Sequence, residues 1–168
     1  SLRKPFILAL ALILADQALK IAIKTQFALG DSIEILPWFH LHFTENPGMA
    51  FGLSWGGATG KIFLSLFRIA AIGGLLWYAI RLAKGGAHPF VLTTIALIFA
   101  GALGNVIDSL LYGLLFDRGL VWSPEYEFWM AYEGVAQWGK GYSGPLLGNV
   151  VDMLYFPLWT GYLPNWLP

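Results

Sequence analysis

Three long apolar stretches dominate the pattern of hydrophobic and polar positions along the chain. A helix needs about 20 apolar residues to cross the ~30 Å hydrocarbon core of a bilayer, and the segments 5–24, 60–82 and 89–115 meet this requirement. Between 26 and 59 the pattern changes to a partial alternation of apolar and polar residues, which ends in Asn-Pro-Gly at 46–48. Alternation that ends at a turn sequence predicts short strands. We therefore predict three transmembrane helices and a small sheet.

The segment 116–168 has a third kind of pattern, in which aromatic residues alternate irregularly with glutamate and glycine. Its most apolar part is interrupted by Pro157, Gly161 and Pro164, so we do not predict a fourth complete span there. Trp and Tyr gather at membrane interfaces. We interpret this segment as an aromatic platform at the membrane surface, within a single membrane domain that covers 1–168.

Composition supports a membrane location. Hydrophobic residues make up 57% of the chain and charged residues 12%, whereas soluble domains carry about 25% charged residues. Basic residues mark the cytoplasmic ends of spans, and here they stand before the first span (Arg3, Lys4) and between the second and third (Arg81, Lys84). The segments 26–59 and 116–168 are therefore expected on the opposite side of the membrane.

Several functions are excluded or disfavoured by residue content. The formal net charge is zero, which gives no reason to expect a nucleic-acid partner. The chain contains no cysteine, which rules out disulfides, thiolate metal sites and a cysteine nucleophile within it. His40 and His42 would share one face of a strand, which we interpret as a surface strand and not as a metal pair. We expect no metal and no cofactor.

Charged residues inside the spans are candidates for function, since each costs about 2.5–3.5 kcal/mol at a bilayer centre. Asp16 and Lys20 are four apart and share a helix face; Asn105 and Asp108 share another. We predict that these four side chains, together with Asn46, surround one polar pocket near the outer membrane surface, where a packing salt bridge and a binding site are both possible roles. For Arg68, near the middle of the second span, we predict a carboxylate partner within the bundle.

A repeated pentapeptide suggests chemistry. Gly-Asn-Val-Ile-Asp at 104–108 returns as Gly-Asn-Val-Val-Asp at 148–152, each in apolar surroundings. Apolar surroundings favour the neutral carboxyl and raise its pKa toward a range useful for acid–base catalysis; alternatively, such an aspartate ties loop backbone to a helix end. Serine-nucleophile, zinc-protease and phosphate-loop motifs are absent from the sequence. From the residues alone, Asp108 and Asp152 form the natural catalytic pair.

Four motifs in order carry a family resemblance. They are Asp16-Gln17-x-x-Lys20, Thr44-Glu45-Asn46-x-Gly48-Met49-Ala50-Phe51-Gly52, Gly101-Ala102-x-Gly104-Asn105-x-x-Asp108 and Val150-Val151-Asp152-Met153. In these motifs the chain resembles bacterial lipoprotein signal peptidase (signal peptidase II). The long aromatic segment between Asp108 and Asp152 resembles the Bacteroidetes-type branch of that family.

The resemblance implies an all-α polytopic membrane bundle of four transmembrane helices, three of them in this chain, with a small extracytoplasmic β-cradle. It implies an aspartic endopeptidase of the bacterial cytoplasmic (inner) membrane, with its active site facing the periplasm. Its substrates would be diacylglyceryl-modified prolipoproteins, cleaved before the lipidated cysteine. Membrane lipids and family inhibitors such as globomycin would be further partners.

The same resemblance assigns roles to individual residues. Asp152 becomes one catalytic aspartate, and the second belongs to an Asn-x-Ala-Asp motif at the start of a fourth helix, which we expect beyond Pro168 in a longer protein. Asp108 becomes a supporting residue, which replaces the Asp108–Asp152 pair. Ser109 stands where the family usually has arginine. The supporting or substrate-binding residues implied are Asp16, Lys20, Asn46, Gly48, Asn105, Asp108 and Asn149.

Two other functions compete with this one. The first is a catalytically incomplete homologue that binds lipopeptides without cleaving them. The second is a non-enzymatic membrane protein whose intramembrane charges, Asp16, Lys20, Arg68 and Asp108, line a polar pore.

Overall fold

The computed structural model describes residues 2–48 and 57–158, and these ranges form three long helices and two small sheets. The helices are α1 (Arg3–Gln26), α2 (Gly57–Lys84), α3 (Pro89–Ile107) and the three-residue α4 (Gly113–Leu115), with a π-helical turn (Asp108–Tyr112) between the last two. The strands are β1 (Ser32–Leu36), β2 (Phe39–Asn46), β3 (Val121–Ser123), β4 (Phe128–Met130) and β5 (Val150–Tyr155). Met49 to Gly52 of the second sequence motif lie outside the described residues.

Within the described residues, three helical segments are long and apolar enough to cross a membrane: Arg3–Gln26, Gly57–Lys84 and Pro89–Leu115. Fewer than a third of the residues in each apolar stretch are buried by the rest of the chain. Helices that are apolar on all sides yet uncovered are stable in lipid. The first two are longer than the predicted 5–24 and 60–82, whereas the third has the predicted bounds 89–115.

The loop between α2 and α3 is fixed by local sequence. Gly86 takes a φ of +76° after the end of α2, its N–H donates to Ala83 O, and the N–H of Ala87 donates to Leu82 O (3.0 Å). This is a Schellman motif, in which glycine provides the left-handed residue that ends the helix. His88 then accepts a hydrogen bond from Phe90 N through Nδ1, and Pro89 occupies the first helical turn.

The third span changes its winding at the polar motif. After Ile107 the helix widens into the π-helical turn before α4 completes the span. The carbonyl of Ser109 accepts a hydrogen bond from Gly148 N (2.9 Å), which comes from outside the helix. A helical carbonyl used in this way interrupts the regular ladder, and such bulges are frequent at functional sites.

The main sheet lies at one end of the bundle, which we call the sheet end. Its strand order is β1-β2-β5 with antiparallel pairing throughout. Thr44 pairs with Asp152 and Glu45 with Val151 across β2 and β5. His40 and His42 share a face of β2 as predicted, and both rings pack against Tyr155.

Residues 116–148, here called the aromatic insertion, pack against the same end. The insertion contains the β3–β4 hairpin, in which Trp122 pairs with Trp129, and a further β-bridge joins its first residue, Phe116, to Trp138. A buried cluster joins it to α1, β2, the π-helical turn and β5. The members are Ile23, Phe43, Tyr112, Phe116, Ala136, Val151 and Met153. The sheet end thus has the only apolar core cluster found in the described residues, and the polar motifs surround it.

Candidate active site

The first polar cluster is centred on a buried lysine, Lys20. Lys20 Nζ donates to Asp108 Oδ2 (2.7 Å) and Asn105 Oδ1 (3.0 Å), and it lies 3.3 Å from Asp16 Oδ2. Lys20 is 3% exposed and Asp108 is fully buried. The structure therefore brings Asp16, Lys20, Asn105 and Asp108 together between α1 and the end of α3. We call this set the Lys20 cluster.

The carboxylate of Asp108 is fully engaged. Oδ2 accepts from Lys20 and from the backbone N–H of Val151 (3.1 Å), and Oδ1 accepts from Gln17 Nε2 (3.0 Å). A carboxyl group held by three such bonds is fixed in place. The bond to Val151 N also anchors β5 next to Asp152. Asp108 is thus arranged to support the strand and has no free face for a water molecule within the described residues.

A glycine and several hydrogen-bonded side chains surround the contact between α1 and the end of α3. A Cβ atom on Gly104 would stand 2.5 Å from Asp16 Oδ2, so glycine leaves the space that the Asp16 carboxylate occupies between α1 and α3. Tyr112 OH donates to Gln17 Oε1 (3.0 Å), which orients the amide toward Asp108. Sequence reasoning did not assign Tyr112 a role, and its distance in sequence from Gln17 gave no signal. Ser109 is 2% exposed and donates to Asn105 O (3.1 Å), so a longer side chain at 109 would require rearrangement.

Asp152 lies on the opposite face of β5 from the core. Val151 and Met153 are buried, whereas Asp152 is exposed and stands across from Thr44. The alternation of a strand produces this arrangement. Asn46 lies two residues beyond Thr44 on β2, and its side chain is hydrogen-bonded to Asp152. Asn46 Oδ1 also accepts from Gly48 N (2.8 Å), and Gly48 adopts φ +102°, so the pair forms an Asx turn that orients the Asn46 amide.

The environment of Asp152 raises its pKa above the ordinary 3.8. Loss of hydration on its packed side is the main cause, and Lys20, the Asn46 hydrogen bond and Arg68 oppose the rise. The side chain therefore has one open side for a ligand and one packed side that favours the neutral acid. A carboxyl group in these surroundings can exchange a proton with water nearer to neutral pH than an ordinary aspartate.

A second buried cluster, which we call the Glu45 cluster, was not predicted from the sequence. Glu45 forms an ion pair with Lys24 and accepts hydrogen bonds from Tyr132 OH (2.7 Å), Leu120 N (3.0 Å) and Asn149 Nδ2 (2.8 Å). The Lys24 ammonium also lies 5.4 Å from the centre of the Tyr132 ring. Four donors from distant parts of the chain thus converge on one carboxylate.

The Glu45 cluster connects the aromatic insertion to the candidate active site. Asn149, 1% exposed, donates through its side chain to Glu45 and to Leu120 O (2.9 Å) and accepts from Lys61 Nζ. Its backbone N–H donates to Tyr142 OH (2.7 Å). Burial raises the pKa of Tyr132 and of Tyr142, and the Glu45 charge raises both further, so both hydroxyl groups remain protonated. Asn149 immediately precedes β5, and the cluster therefore sets where the strand bearing Asp152 begins.

The surroundings of Arg68 differ from our prediction of a carboxylate partner within the bundle. The described residues place no carboxylate within salt-bridge distance of its guanidinium, so the predicted partner is not found there. Burial of the side chain is partial. The cost of an unpaired charge in lipid predicts a partner for Arg68 within the bundle. The side chain instead lines a groove between α2 and α3, which has space for a group from another molecule.

Metal ligands are not concentrated in the described ranges: no group of three or more His, Cys, Asp or Glu side chains in 2–48 and 57–158 could hold an ion. The polar groups near Asp152 are instead donors, namely Lys20, Asn46 and Arg68. This arrangement suits an acid–base site that acts on a carbonyl group.

Comparison with known families identifies this arrangement. The sequence profile described as signal peptidase (SPase) II matches residues 8–166. The chain belongs to the signal peptidase II family. The family expected from the motifs is therefore confirmed, and the match covers both the Lys20 cluster and Asp152.

Two relatives illustrate the match. The lipoprotein signal peptidase of Porphyromonas gingivalis (strain ATCC 33277) is 42% identical over 165 residues, which cover 96% of this chain and 66% of the relative. That of Amoebophilus asiaticus (strain 5a2) is 34% identical over 165 residues, covering 96% and 62%. The chain thus spans just under two thirds of the length of these relatives. The Porphyromonas relative agrees with the predicted Bacteroidetes-type branch.

Solved structures share the fold. A bacterial membrane enzyme determined by the in meso method at 1.9 Å resolution aligns with a TM-score of 0.59 and 24% identity, over 92% of this chain and 75% of that chain. A second such enzyme, at 2.3 Å, aligns with a TM-score of 0.57 and 23% identity, over 91% and 70%. At this identity the likeness concerns the arrangement of helices and sheet alone.

Proposed function

We propose that the full-length protein is a membrane aspartic endopeptidase that removes the signal peptide from diacylglyceryl-modified prolipoproteins, cleaving before the lipidated cysteine. The single observation that carries the proposal is the placement of Asp152: an exposed carboxyl with a raised pKa, on a strand anchored by Asp108 and Asn149. Family membership supplies the reaction class.

The chemistry requires two carboxyl groups in different protonation states. One removes a proton from water as the water attacks the scissile carbonyl carbon, and the other, protonated, donates to the carbonyl oxygen. The tetrahedral intermediate then collapses, the C–N bond breaks and the amine leaves with a proton. We assign one of these carboxyls to Asp152. The resemblance assigns the other to an Asn-x-Ala-Asp motif of the family.

Supporting roles follow from the contacts of each residue. Asp16, Lys20, Asn105 and Asp108 hold the end of α3 against α1 and anchor the N–H of Val151. Asn46 and Gly48 orient the amide beside Asp152, and Asn149 positions the start of β5. We propose positioning as the main task of these residues, with Asn46 close enough to Asp152 to contact substrate.

Exposed aromatic residues at the sheet end suit a lipidated ligand. Phe39 stacks on Phe156 with ring centres 5.2 Å apart, and Trp38 lies 6.5 Å from the same ring. Trp38 is 52% exposed and Phe156 50%. A diacylglyceryl group contributes about 0.8 kcal/mol per buried CH₂, so an apolar surface of this kind can provide much of the affinity. We expect membrane lipids and the family inhibitor globomycin to bind at the sheet end as well.

We place the sheet end on the periplasmic side of the bacterial cytoplasmic membrane, because the basic residues flank the other end of the bundle. That other end contains a small cavity of about 60 Å³ among α1, α2 and α3, whose lining residues are all apolar. Neither the Lys20 cluster nor the Glu45 cluster contributes a residue to the lining of this cavity. This distribution favours a site at one membrane surface over a polar pore through the bundle.

The assignment of Asp152 is tested by cleavage of a lipidated prolipoprotein in the full-length protein. Asp152→Asn keeps the shape of the side chain and removes the acid–base group, so we expect cleavage to fall by 10³-fold or more, on the order of losing a general base in a dyad. Binding of the lipopeptide should remain measurable. This separates an enzyme from a homologue that only binds.

Two further variants control the experiment. Asp31→Asn changes an exposed aspartate whose carboxylate accepts from Ala28 N, a bond that Asn Oδ1 can keep, and it should cleave normally. Asp108→Asn should give a partial loss, because it weakens the anchor of β5 without removing a reacting group. Wild-type cleavage by Asp152→Asn would disprove the assignment. Complete loss confined to Asp108→Asn would restore Asp108 as the catalytic group.

A further inference from the structure

A stripe of polar residues runs along one face of α2. Lys61, Ser65 and Arg68 are spaced by four and three residues, which places them on the same side of a helix. Lys61 and Ser65 are 5% and 2% exposed, and each meets the segment that precedes β5: Lys61 Nζ donates to Asn149 Oδ1, and Ser65 Oγ donates to Leu146 O (3.1 Å). The first two members of the stripe are thus satisfied by the chain itself.

Arg68, the third member of the stripe, has no such hydrogen bond to the described chain. In residues 2–48 and 57–158 no acceptor lies within hydrogen-bond distance of its guanidinium. The side chain lines a groove of about 400 Å³ between α2 and α3. The other lining residues are Phe67, Ala71, Ile72, Leu75, Ile98, Ala102 and Asn105. An arginine at this depth is costly in lipid and, where it is kept, commonly faces a partner or a functional cavity.

Asn105 contributes a second donor to the same groove. Its Oδ1 accepts from Lys20 Nζ (3.0 Å), and since an ammonium group only donates, this contact fixes which amide atom is oxygen. The Nδ2 group is then directed elsewhere, and within the described ranges it has no acceptor. The two polar groups of the groove therefore present N–H donors and no free acceptor.

The groove is electrostatically connected to the candidate active site. The charges of Asp152 and Asp108 act on the Arg68 guanidinium, and the guanidinium charge acts on Asp152 in return. A ligand group held by Arg68 would consequently be within the electrostatic range of the carboxyl that we assign to water activation. A substrate group that fits must be an acceptor, and at this depth in the bilayer an uncharged one is the least costly.

We propose that Arg68, together with Asn105, binds a carbonyl oxygen of the lipidated substrate next to the scissile bond, an inference that rests on the proposed function. A signal peptide must leave its helical conformation to be cleaved, which removes the internal partners of its carbonyl groups. In a low-dielectric setting those carbonyls need other donors. Arginine provides five N–H donors in a fixed arrangement, and none of those on Arg68 is used by the described chain. Ester carbonyls of the diacylglyceryl group have the same acceptor chemistry.

The test measures cleavage and binding separately in the full-length protein. Arg68→Met keeps an apolar side chain of similar length, and we expect kcat/KM for a lipidated peptide to fall by about 10- to 100-fold, the range for losing a hydrogen bond to a charged donor. In an Asp152→Asn background, the Kd for the same peptide should rise by a similar factor. Arg68→Lys should recover only part of the loss, since lysine lacks the planar fork.

Arg81→Met is the matched control. Arg81 lies near the other end of α2, where its guanidinium stacks 5.5 Å from the centre of the Trp77 ring, and its loss should leave kcat/KM and Kd unchanged. Thermal stability provides a further readout. Arg68→Met should not lower Tm, because it removes a charge that has no partner in the described chain.

A substrate with ether-linked alkyl chains distinguishes the two sources of carbonyl. If the effect of Arg68→Met persists with this substrate, the acceptor is in the peptide backbone; if the effect disappears, the acceptor is the ester. Unchanged kcat/KM and Kd in Arg68→Met, with a wild type that cleaves, would overturn the proposal and leave the proposed function intact. A lowered Tm without a change in Kd would assign Arg68 to packing and would overturn it too. A wild type that does not cleave would instead contradict the proposed function.

Discussion

Three lysines at the sheet end show how individual residues keep charge inside an apolar bundle. Lys20, Lys24 and Lys61 are 3%, 0% and 5% exposed, and each ammonium meets an acceptor from another segment: Asp108, Glu45 and Asn149 respectively. Truncating one member of a buried pair typically destabilises a protein by about 3–5 kcal/mol. The lysines therefore connect separate elements of the chain, whereas Asp152 and Arg68 each keep an open side.

The raised pKa of Asp152 predicts how its contribution to stability changes with pH. Below the ordinary value of 3.8, the carboxyl is protonated in both the folded and the unfolded state, and the group imposes no penalty. As pH rises through the higher native pKa, the folded state must accept a charge that it disfavours, and stability is lost. The free energy of unfolding of Asp152→Asn should therefore exceed that of the wild type increasingly from about pH 4 upward. Thermal unfolding of both proteins across this range measures the difference.

Asp117 provides a control, because its pKa is shifted in the opposite direction to that of Asp152. Its hydrogen bond from Gln137 N (2.7 Å) lowers its pKa below 3.8, so its contribution to stability is present above 3.8 and is lost as pH falls through the native value. Asp117→Asn should consequently be less stable than the wild type at neutral pH and should approach it in acid. If the stability of both variants relative to the wild type changed in the same direction as pH rises, the electrostatic account of Asp152 would be contradicted.

At the scale of elements, sequence reasoning succeeded where the determining interactions are local. Hydropathy predicts the three spans because lipid selects for apolar composition, and the bounds of α2 (Gly57–Lys84) differ from the predicted 60–82 by three residues or fewer. The i,i+4 spacing likewise predicts that Asp16 and Lys20 share a face. The Glu45 cluster was missed because its partners lie 21 to 104 residues away and come from several elements. A single sequence holds no signal for pairings of that kind.

The contact between the π-helical turn and the aromatic insertion gives a prediction at this scale. A Cβ atom on Gly148 would collide with the backbone carbonyl of Asp108 and would stand 2.8 Å from Gly113 N. Both are backbone atoms that cannot move aside alone, so Gly148→Ala should destabilise the protein by about 1–3 kcal/mol or more. Tm measurements on purified protein test this. Because Gly148 precedes Asn149 and β5, cleavage should fall along with stability.

Gly139→Ala is the matched control, since a Cβ at Gly139 would meet nothing within 4 Å. We expect its Tm to match that of the wild type. If both variants behave alike, the close approach of the insertion to the third span does not contribute to stability as described.

At the scale of the whole molecule, polar and apolar features are sorted to opposite ends of the bundle. The Lys20 cluster, the Glu45 cluster, both sheets and the aromatic insertion are at the sheet end, whereas the other end is apolar apart from the basic residues near the helix termini. A site built in this way can receive a substrate that is anchored in one leaflet and is cut at the membrane surface.

The orientation of this bundle is the last prediction. Basic residues at the start of α1 and the end of α2 predict that those ends face the cytoplasm and that the sheet end faces the periplasm. In a cysteine-free background, Tyr126→Cys, at a position that is 66% exposed on the aromatic insertion, should react with a membrane-impermeant thiol reagent added to intact spheroplasts. Gly85→Cys, in the exposed loop after α2 where a Cβ meets only ordinary contacts at 3.5 Å, should react only after the membrane is permeabilised. The reverse pattern would place Asp152 in the cytoplasm, away from any exported prolipoprotein, and would refute the proposed function along with the orientation.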